Sequence, residues 1–549
     1  MDSRLSELKD SEHFTSFDAN YPSKLNSWIV FFIYLIAGLA IYYSSLHYGF
    51  ILDDESQIVN NRMIHQLSNW WQTFAASTMA DGSTGESVNG IYYKPIMMMT
   101  YSLLWNLGQQ QAFLFHLFQL VLHSINAFLI FSFFDQFLAR KNSLFCFCVG
   151  FLFLCHPVNA EAVLFIADMQ EPLYTFFGLS SLLILLRAQN LKMIFGAALL
   201  IFAGLLSKES GLLYLLMGLT YCALFNRPKL KYFASFCFII ISAYLGLRLG
   251  LAHLSSITPH EMQIARADLL TRLMTIPKVL MHYISLFFYP DEISLTQDWV
   301  ISYFSIEDFW WPLFGVLMVT GLSIWYFVKR KSRYFLFFTL WFFYGWGLHS
   351  QLIPLDGTVS DRWFYFTMIG LLGMISVFIM REFKFGAQRA TLAVFIVISL
   401  ALSVRTYTRT LDWQNALTLY YHDVQVDPDS FYLNNNLGLA IFAQGDYEKA
   451  IPYFKKTIAV SKTNSYAWHT GWTNLGASYL FMGQLGLAEP ALKQALGGGD
   501  VKPFRALAAV LLDLKKIDEF KVFIEQALAR FPNDPVLLKL QSKLALPPS

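Results

Sequence analysis

Four short stretches gather residues able to do acid–base or anion-binding chemistry. They are Asp53-Asp54-Glu55 followed by Asn60-Asn61, then His156-Pro157-Val158-Asn159-Ala160-Glu161 with Asp168 and Glu171, then Lys208-Glu209, and finally Asp356, Asp361 and Arg362. A carboxylate can take the proton of an attacking hydroxyl, and a lysine or arginine beside it can hold a phosphate. Adjacent carboxylates such as Asp53 and Asp54 also repel, which raises one apparent pKa toward the working range. Any one stretch reads equally well as a solvated loop. Ionisable groups beside a bilayer are costly unless solvated or used, so four stretches on one side of a membrane carry more information than one. Other chemistries lack their spacing: the sequence holds no HExxH, no CxxC pair, no EF-hand loop, no Walker loop and no GxSxG elbow. All five cysteines fall in apolar runs, leaving no thiol in the hydrophilic parts for a disulfide or a zinc cluster. No metal site is assigned, and a divalent cation stays open as a cofactor.

The elements that must position these residues are membrane helices. Of 549 residues, 55% are hydrophobic and only 14% charged, far from the quarter-charged composition of a soluble domain. The 40 basic and 38 acidic residues leave a net charge of +2 with no broad cationic face, which excludes a nucleic-acid partner. After a polar leader carrying Arg4, Lys9 and Lys24, apolar blocks of crossing length run over 28–43, 112–138, 144–160, 172–187, 192–206, 211–225, 232–252, 310–328, 334–352, 363–380 and 390–408. That predicts about eleven spans. Arg140/Lys141, Arg187/Lys192, Arg227/Lys229/Lys231, Lys329/Arg330/Lys331/Arg333 and Arg381/Lys384 then fall on the side of the N-terminus, making that side the inside. The acidic stretches and the C-terminus fall outside. Residues 270–289, with Arg272, Lys278 and His282 at helical spacing, are predicted to lie on the outer surface rather than cross, and 95–108 to be half-buried.

Beyond the last span Asn436-Leu437-Gly438, Gly445-Asp446-Tyr447 and Ala450 recur 38 positions later as Asn474-Leu475-Gly476, Gly483-Gln484-Leu485 and Ala488, with a weaker third copy ending at Ala527-Leu528 before Pro532. This resembles the tetratricopeptide repeat, a helix-turn-helix unit that stacks into an α-solenoid with a concave partner-binding face. The expected organisation is an N-terminal tail 1–26 on the inner side, a transmembrane domain 27–410 and a repeat domain 411–549 of about three repeats.

A further resemblance covers nearly the whole chain. It rests on Asp53-Asp54-Glu55 with Asn60; Tyr93-Lys94-Pro95-Ile96; His116 and His123-Ser124-Ile125-Asn126; His156 to Val163 with Ile166-Ala167-Asp168; Ser207-Lys208-Glu209; Ser360 to Tyr365; and Arg409-Thr410-Leu411-Asp412-Trp413 leading into the repeats. In this order they resemble bacterial relatives of the transmembrane and tetratricopeptide-repeat O-mannosyltransferases, of the GT-C class of glycosyltransferases. Met169-Gln170 stand where the family tends to place basic residues. The resemblance implies an all-α polytopic membrane enzyme that moves a monosaccharide, such as mannose, from a polyprenyl-phosphate carrier to an acceptor hydroxyl on a protein, with inversion. It implies the bacterial inner membrane with the repeats extracytoplasmic, or an endoplasmic-reticulum membrane with the repeats luminal. The absence of any N-x-[ST] sequon fits the former.

Within that reading, inverting transfer needs a carboxylate within reach of the acceptor hydroxyl. Asp54 is the expected base, with Asp53 as the alternative or as its partner in holding a metal or sugar hydroxyls. The leaving phosphate calls for a cation at the membrane boundary: Arg362 first, whose planar fork matches phosphate, then Lys208 and Lys94. Glu161, His156, Asp168, Glu171 and Tyr365 are the expected substrate-binding residues, and the repeats are expected to engage the acceptor. Two rivals stand beside this: a transferase using a lipid-pyrophosphate donor, such as an oligosaccharyltransferase or a glycan- or lipid-modifying enzyme, and a non-catalytic anchored repeat scaffold.

Overall fold

A computed structural model describes residues 25–78, 92–108, 110–138, 143–254, 263–355, 357–383 and 385–543, with side chains omitted at 385–389, 391 and 392. The leader with Arg4, Lys9 and Lys24, and Arg140, Lys141, Asp356 and Lys384, lie outside the described residues. The fold is all-α, 81% helical and without strands among the described residues.

Among the described residues, seven helices are long and apolar enough to cross a membrane: Ser27–His47, Ala112–Phe137, Ile166–Arg187, Arg227–Leu251, Ile306–Arg330, Asp361–Glu382 and Ala393–Asp412. An eighth crossing is supplied if Ser143–Cys155 and Pro157–Leu164, bent by 52° at His156, count as one. Leu191–Ser207 and Glu209–Phe225 are apolar but short, and Arg333–Leu348 has 16 residues. At 1.5 Å per residue such helices reach only about 25 Å, short of a hydrocarbon core of about 30 Å. The expected count of eleven therefore exceeds what helix length alone supports. Leu269–Phe288, 20 residues with Lys278 paired to Asp308 at 2.8 Å, is not among the seven.

Burial sorts the helices. Ile166–Arg187 and Asp361–Glu382 are 78% buried within the protein, whereas Arg227–Leu251 and Ile306–Arg330 are only 17% buried. The last two turn apolar side chains such as Phe238, Leu317 and Ile324 outward, which suits lipid and would be costly in water. The chain is a multi-pass membrane protein with Ile166–Arg187 and Asp361–Glu382 near its centre. These two inner helices begin with the acidic and basic residues singled out above.

Small residues let the inner helices meet closely. A Cβ at Gly370 would lie 2.5 Å from the backbone nitrogen of Phe342 and 2.8 Å from its Cα. Because those are backbone atoms, Gly370→Ala must push Arg333–Leu348 away. The expected cost is about 1–3 kcal/mol, read as a lower thermal midpoint of the detergent-solubilised protein, while Gly196→Ala, with nothing within 4 Å, leaves the midpoint in place.

Two compact units divide the chain, one holding 300–415 with most of what precedes it, the other Ala416–Ser549 with Glu261–Arg266 and Gln297–Trp299. In the second, Phe431–Ala443 packs on Tyr447–Val460, Tyr466–Phe481 on Leu485–Ala495, and Lys502–Asp513 on Ile517–Arg530. The turns inside the first two pairs sit on Gly445 (φ +85) and Gly483 (φ +71), where a side chain would be strained. Gly438 and Gly476 let Phe454 and Leu492 approach the facing helix.

Candidate active site

The site begins at a strained turn. Leu52 adopts φ 55, unfavourable for a bulky side chain, and folds the chain back on itself. Asp54 then accepts the Ile51 N–H on Oδ2 at 3.0 Å and the Ala167 N–H on Oδ1 at 2.8 Å. The second bond ties the first loop to the segment carrying Asp168, 113 residues away. Asp54 is fully buried. Burial drives its pKa well above the ordinary carboxylate value, against the opposing pull of the two backbone bonds. Asp53 points elsewhere: it is exposed and lines a cavity of about 750 Å³, a volume fit for a small ligand.

That cavity is lined by the carboxylates Asp53, Asp168 and Glu209, by the cations Lys94, Lys208, Arg248 and Arg362, and by apolar residues including Leu212, Leu216, Phe343, Ile353 and Leu355. Three of the cations have carboxylate partners. Arg362 donates from Nη1 to Glu161 Oε1 at 2.5 Å and from its backbone N to Oε2 at 2.9 Å, with Asp168 Oδ1 3.5 Å from Nε. Lys208 is paired with Glu171, and Arg248 with Glu209 at 2.7 Å. Lys94 differs: it is 8% exposed, has no ion-pair partner among the described residues, and sits 4.7 Å from the centre of the Tyr92 ring. Burial lowers its pKa, an effect only partly offset by Glu209. Glu209 Oε1 also accepts the Tyr93 N–H at 3.3 Å, fixing the backbone just before Lys94.

The expected residues thus separate. Asp53, Lys94, Asp168, Lys208 and Arg362 line the cavity. Glu161 and Glu171 stand behind it, each holding a cavity cation. Two expected substrate-binding residues belong to the packing. His156 uses Nε2 on Phe287 O at 3.0 Å and Nδ1 to accept the Val158 N–H at 3.3 Å, while its ring stacks on Phe287. Tyr365 has its hydroxyl held by His123 Nδ1 at 2.8 Å and by Asn126 Nδ2 at 3.2 Å. Neither is in the cavity lining. Arg248, Gln57 and Gln170 line it without having been anticipated. Arg248 carried a signal, a lone charge near the end of an apolar block; the glutamines carried none. Among the described residues no group of three or more His, Cys, Asp or Glu side chains gathers to hold a metal ion.

The Glu161–Arg362 pair supports the site's frame. Glu161 is 2% exposed and also accepts from Ser360 Oγ at 3.1 Å. Glu161→Gln leaves a guanidinium short of its counter-charge, at an expected cost of about 3 kcal/mol, seen as a fall in thermal midpoint. An unchanged midpoint would show that Asp168 alone suffices for Arg362.

A tetratricopeptide-repeat family model matches residues 432–464. Protein O-mannosyl-transferase F38B6.6 of Caenorhabditis elegans is 23% identical over 412 residues, covering 74% of this chain and 59% of that protein. Protein O-mannosyl-transferase TMTC3 of Homo sapiens is 23% identical over 520 residues, covering 84% of this chain and 54% of that protein. The chain therefore spans little more than half the length of these relatives. A chain in the crystal structure of the APC/C hetero-tetramer Cut9-Hcn1 is similar at 12% identity and a TM-score of 0.24, covering 81% of this chain and 89% of that one, too slight a likeness to transfer a fold. By sequence the chain is similar over most of its length to protein O-mannosyl-transferases, with a tetratricopeptide repeat in its C-terminal unit.

Proposed function

We propose that this protein is a membrane glycosyltransferase that moves a monosaccharide, mannose in the first instance, from a polyprenyl-phosphate carrier to a hydroxyl of a protein acceptor, with inversion. The observation that carries it is one cavity joining a solvent-facing carboxylate, a desolvated lysine with no ion-pair partner among the described residues and an apolar lining. Lys94 takes the carrier's phosphate, the apolar lining receives the start of the isoprenoid chain, and Asp53 accepts the proton of the attacking hydroxyl. The base role goes to Asp53 rather than Asp54 because both oxygens of Asp54 are engaged by backbone amides. Arg362 and Lys208, tied to carboxylates, shape the site and contribute less to phosphate affinity. No step requires a metal in this scheme. The transmembrane domain 27–410 is assigned catalysis on the extracytoplasmic side of a bacterial inner membrane, the tail 1–26 the inner side, and the repeat domain 411–549 the engagement of the acceptor.

The test offers the full chain in nanodiscs two donors, mannosyl polyprenyl monophosphate and a pyrophosphate-linked oligosaccharide, with a serine- and threonine-containing polypeptide as acceptor. Transfer from the monophosphate alone is expected. Transfer only from the pyrophosphate donor assigns the other reaction. No transfer from either, with the polypeptide still bound, reduces the protein to a docking platform.

A further inference from the structure

Three residues of the cavity lining each carry a buried acceptor oxygen with no hydrogen-bond partner among the described residues: Gln57 Oε1, Asp168 Oδ2 and Gln170 Oε1. Their residues are 4%, 3% and 4% exposed, so bulk water does not reach them freely. The Gln170 amide is oriented by its own Nε2, which donates to Asp168 Oδ1 at 3.0 Å and leaves Oε1 as the unpartnered atom. Gln57 lies in the Glu55–Val59 helical turn just after Asp53, while Asp168 and Gln170 follow the Ala167 amide held by Asp54. That one bond ties together the two distant stretches that supply these three residues to the lining of one cavity.

Buried acceptors are nearly always satisfied, and one left without a donor bears its full desolvation cost. Three on one cavity call for a ligand rich in donors. A hard cation is one such ligand, but two of the three oxygens are neutral amides, the only carboxylate already lies 3.5 Å from the Arg362 guanidinium, and cation sites of this kind draw on several carboxylates. A ring carrying several hydroxyl groups matches three separate acceptors without adding charge. We propose that Gln57, Asp168 and Gln170 form the subsite that accepts the hydroxyls of the donor's sugar ring, beside the phosphate held by Lys94. This rests on the transferase reading and makes the three residues determinants of sugar specificity, because a site built to accept from hydroxyls strongly rejects a ligand that lacks them.

Two probes separate the roles: mannosyl citronellyl phosphate and bare citronellyl phosphate, titrated calorimetrically into the full chain in nanodiscs. The wild type is expected to bind the sugar-bearing probe about tenfold tighter or better. Gln57→Met and Asp168→Asn are each expected to lower that affinity about tenfold and to leave the bare phosphate unchanged. If Asp168→Asn does not fold for want of its pairing with Arg362, Gln57→Met decides. Parallel loss of both probes, or no loss for the sugar-bearing one, overturns the subsite and leaves the transferase reading standing. Failure of the wild type to bind either probe overturns both.

Discussion

Asp53→Asn is expected to lower sugar transfer by about 10²- to 10⁴-fold, the range for removing a positioned general base, with donor affinity and thermal midpoint unchanged. An amide keeps the size of the side chain and cannot take up a proton. The neighbouring substitution must behave differently. Asp54 offers one oxygen to the Ile51 amide and the other to the Ala167 amide, whereas asparagine has a single acceptor oxygen and sets an NH₂ group against one of the two N–H donors. Asp54→Asn should therefore cost about 1–3 kcal/mol, lower the midpoint, and weaken donor binding by loosening the segment that carries Asp168. Measuring all three quantities on both variants distinguishes base from brace. Full transfer by the Asp53 variant, with a catalytically dead but stably folded Asp54 variant, would return the base role to Asp54.

The contrast between these neighbours shows where a sequence stops being readable. The repeats were legible because their spacing is imposed by helix contacts: Gly438 and Gly476 recur wherever Phe454 or Leu492 must approach. The apolar blocks were legible as helices because hydrophobicity reports burial in lipid or protein. Their number as spans was not, since Leu191–Ser207 and Arg333–Leu348 are apolar without being long. The charged clusters meet as their cost beside a membrane required, with Glu161 on Arg362 and Glu171 on Lys208. Which carboxylate of a pair faces the cavity is decided by the left-handed turn at Leu52, and no local pattern announces a leucine in that conformation. That His156 and Tyr365 stand outside the cavity lining was not legible for a related reason: at a helix end, residue type alone does not tell a ligand-facing polar atom from one already held by Phe287, His123 or Asn126.

Lys94 is where the chemistry is most exposed to a direct test, through pH. Lys94→Met is expected to weaken binding of the bare polyprenyl phosphate by about a hundredfold, the scale of losing one partner of a desolvated charge pair. Lys208→Met, which removes a cation tied to Glu171, should cost the phosphate far less. The direction of the pH effect follows from burial. Desolvation lowers the pKa of Lys94 below the ordinary lysine value, so the free protein loses this proton at a lower pH than an exposed lysine would. Phosphate binds the charged form, which means that binding favours protonation and affinity falls as pH rises through the depressed pKa. Below the ordinary lysine value, wild-type affinity should therefore decline as pH rises, while Lys94→Met, already weak, shows no such decline. Lys94→Arg, charged throughout that range, should remove the decline even where its bulkier head lowers affinity overall. A wild-type profile as flat as that of the Met variant would place the phosphate on Arg362 or Arg248, whose charge does not titrate there, and the order of roles among the cavity's cations would reverse.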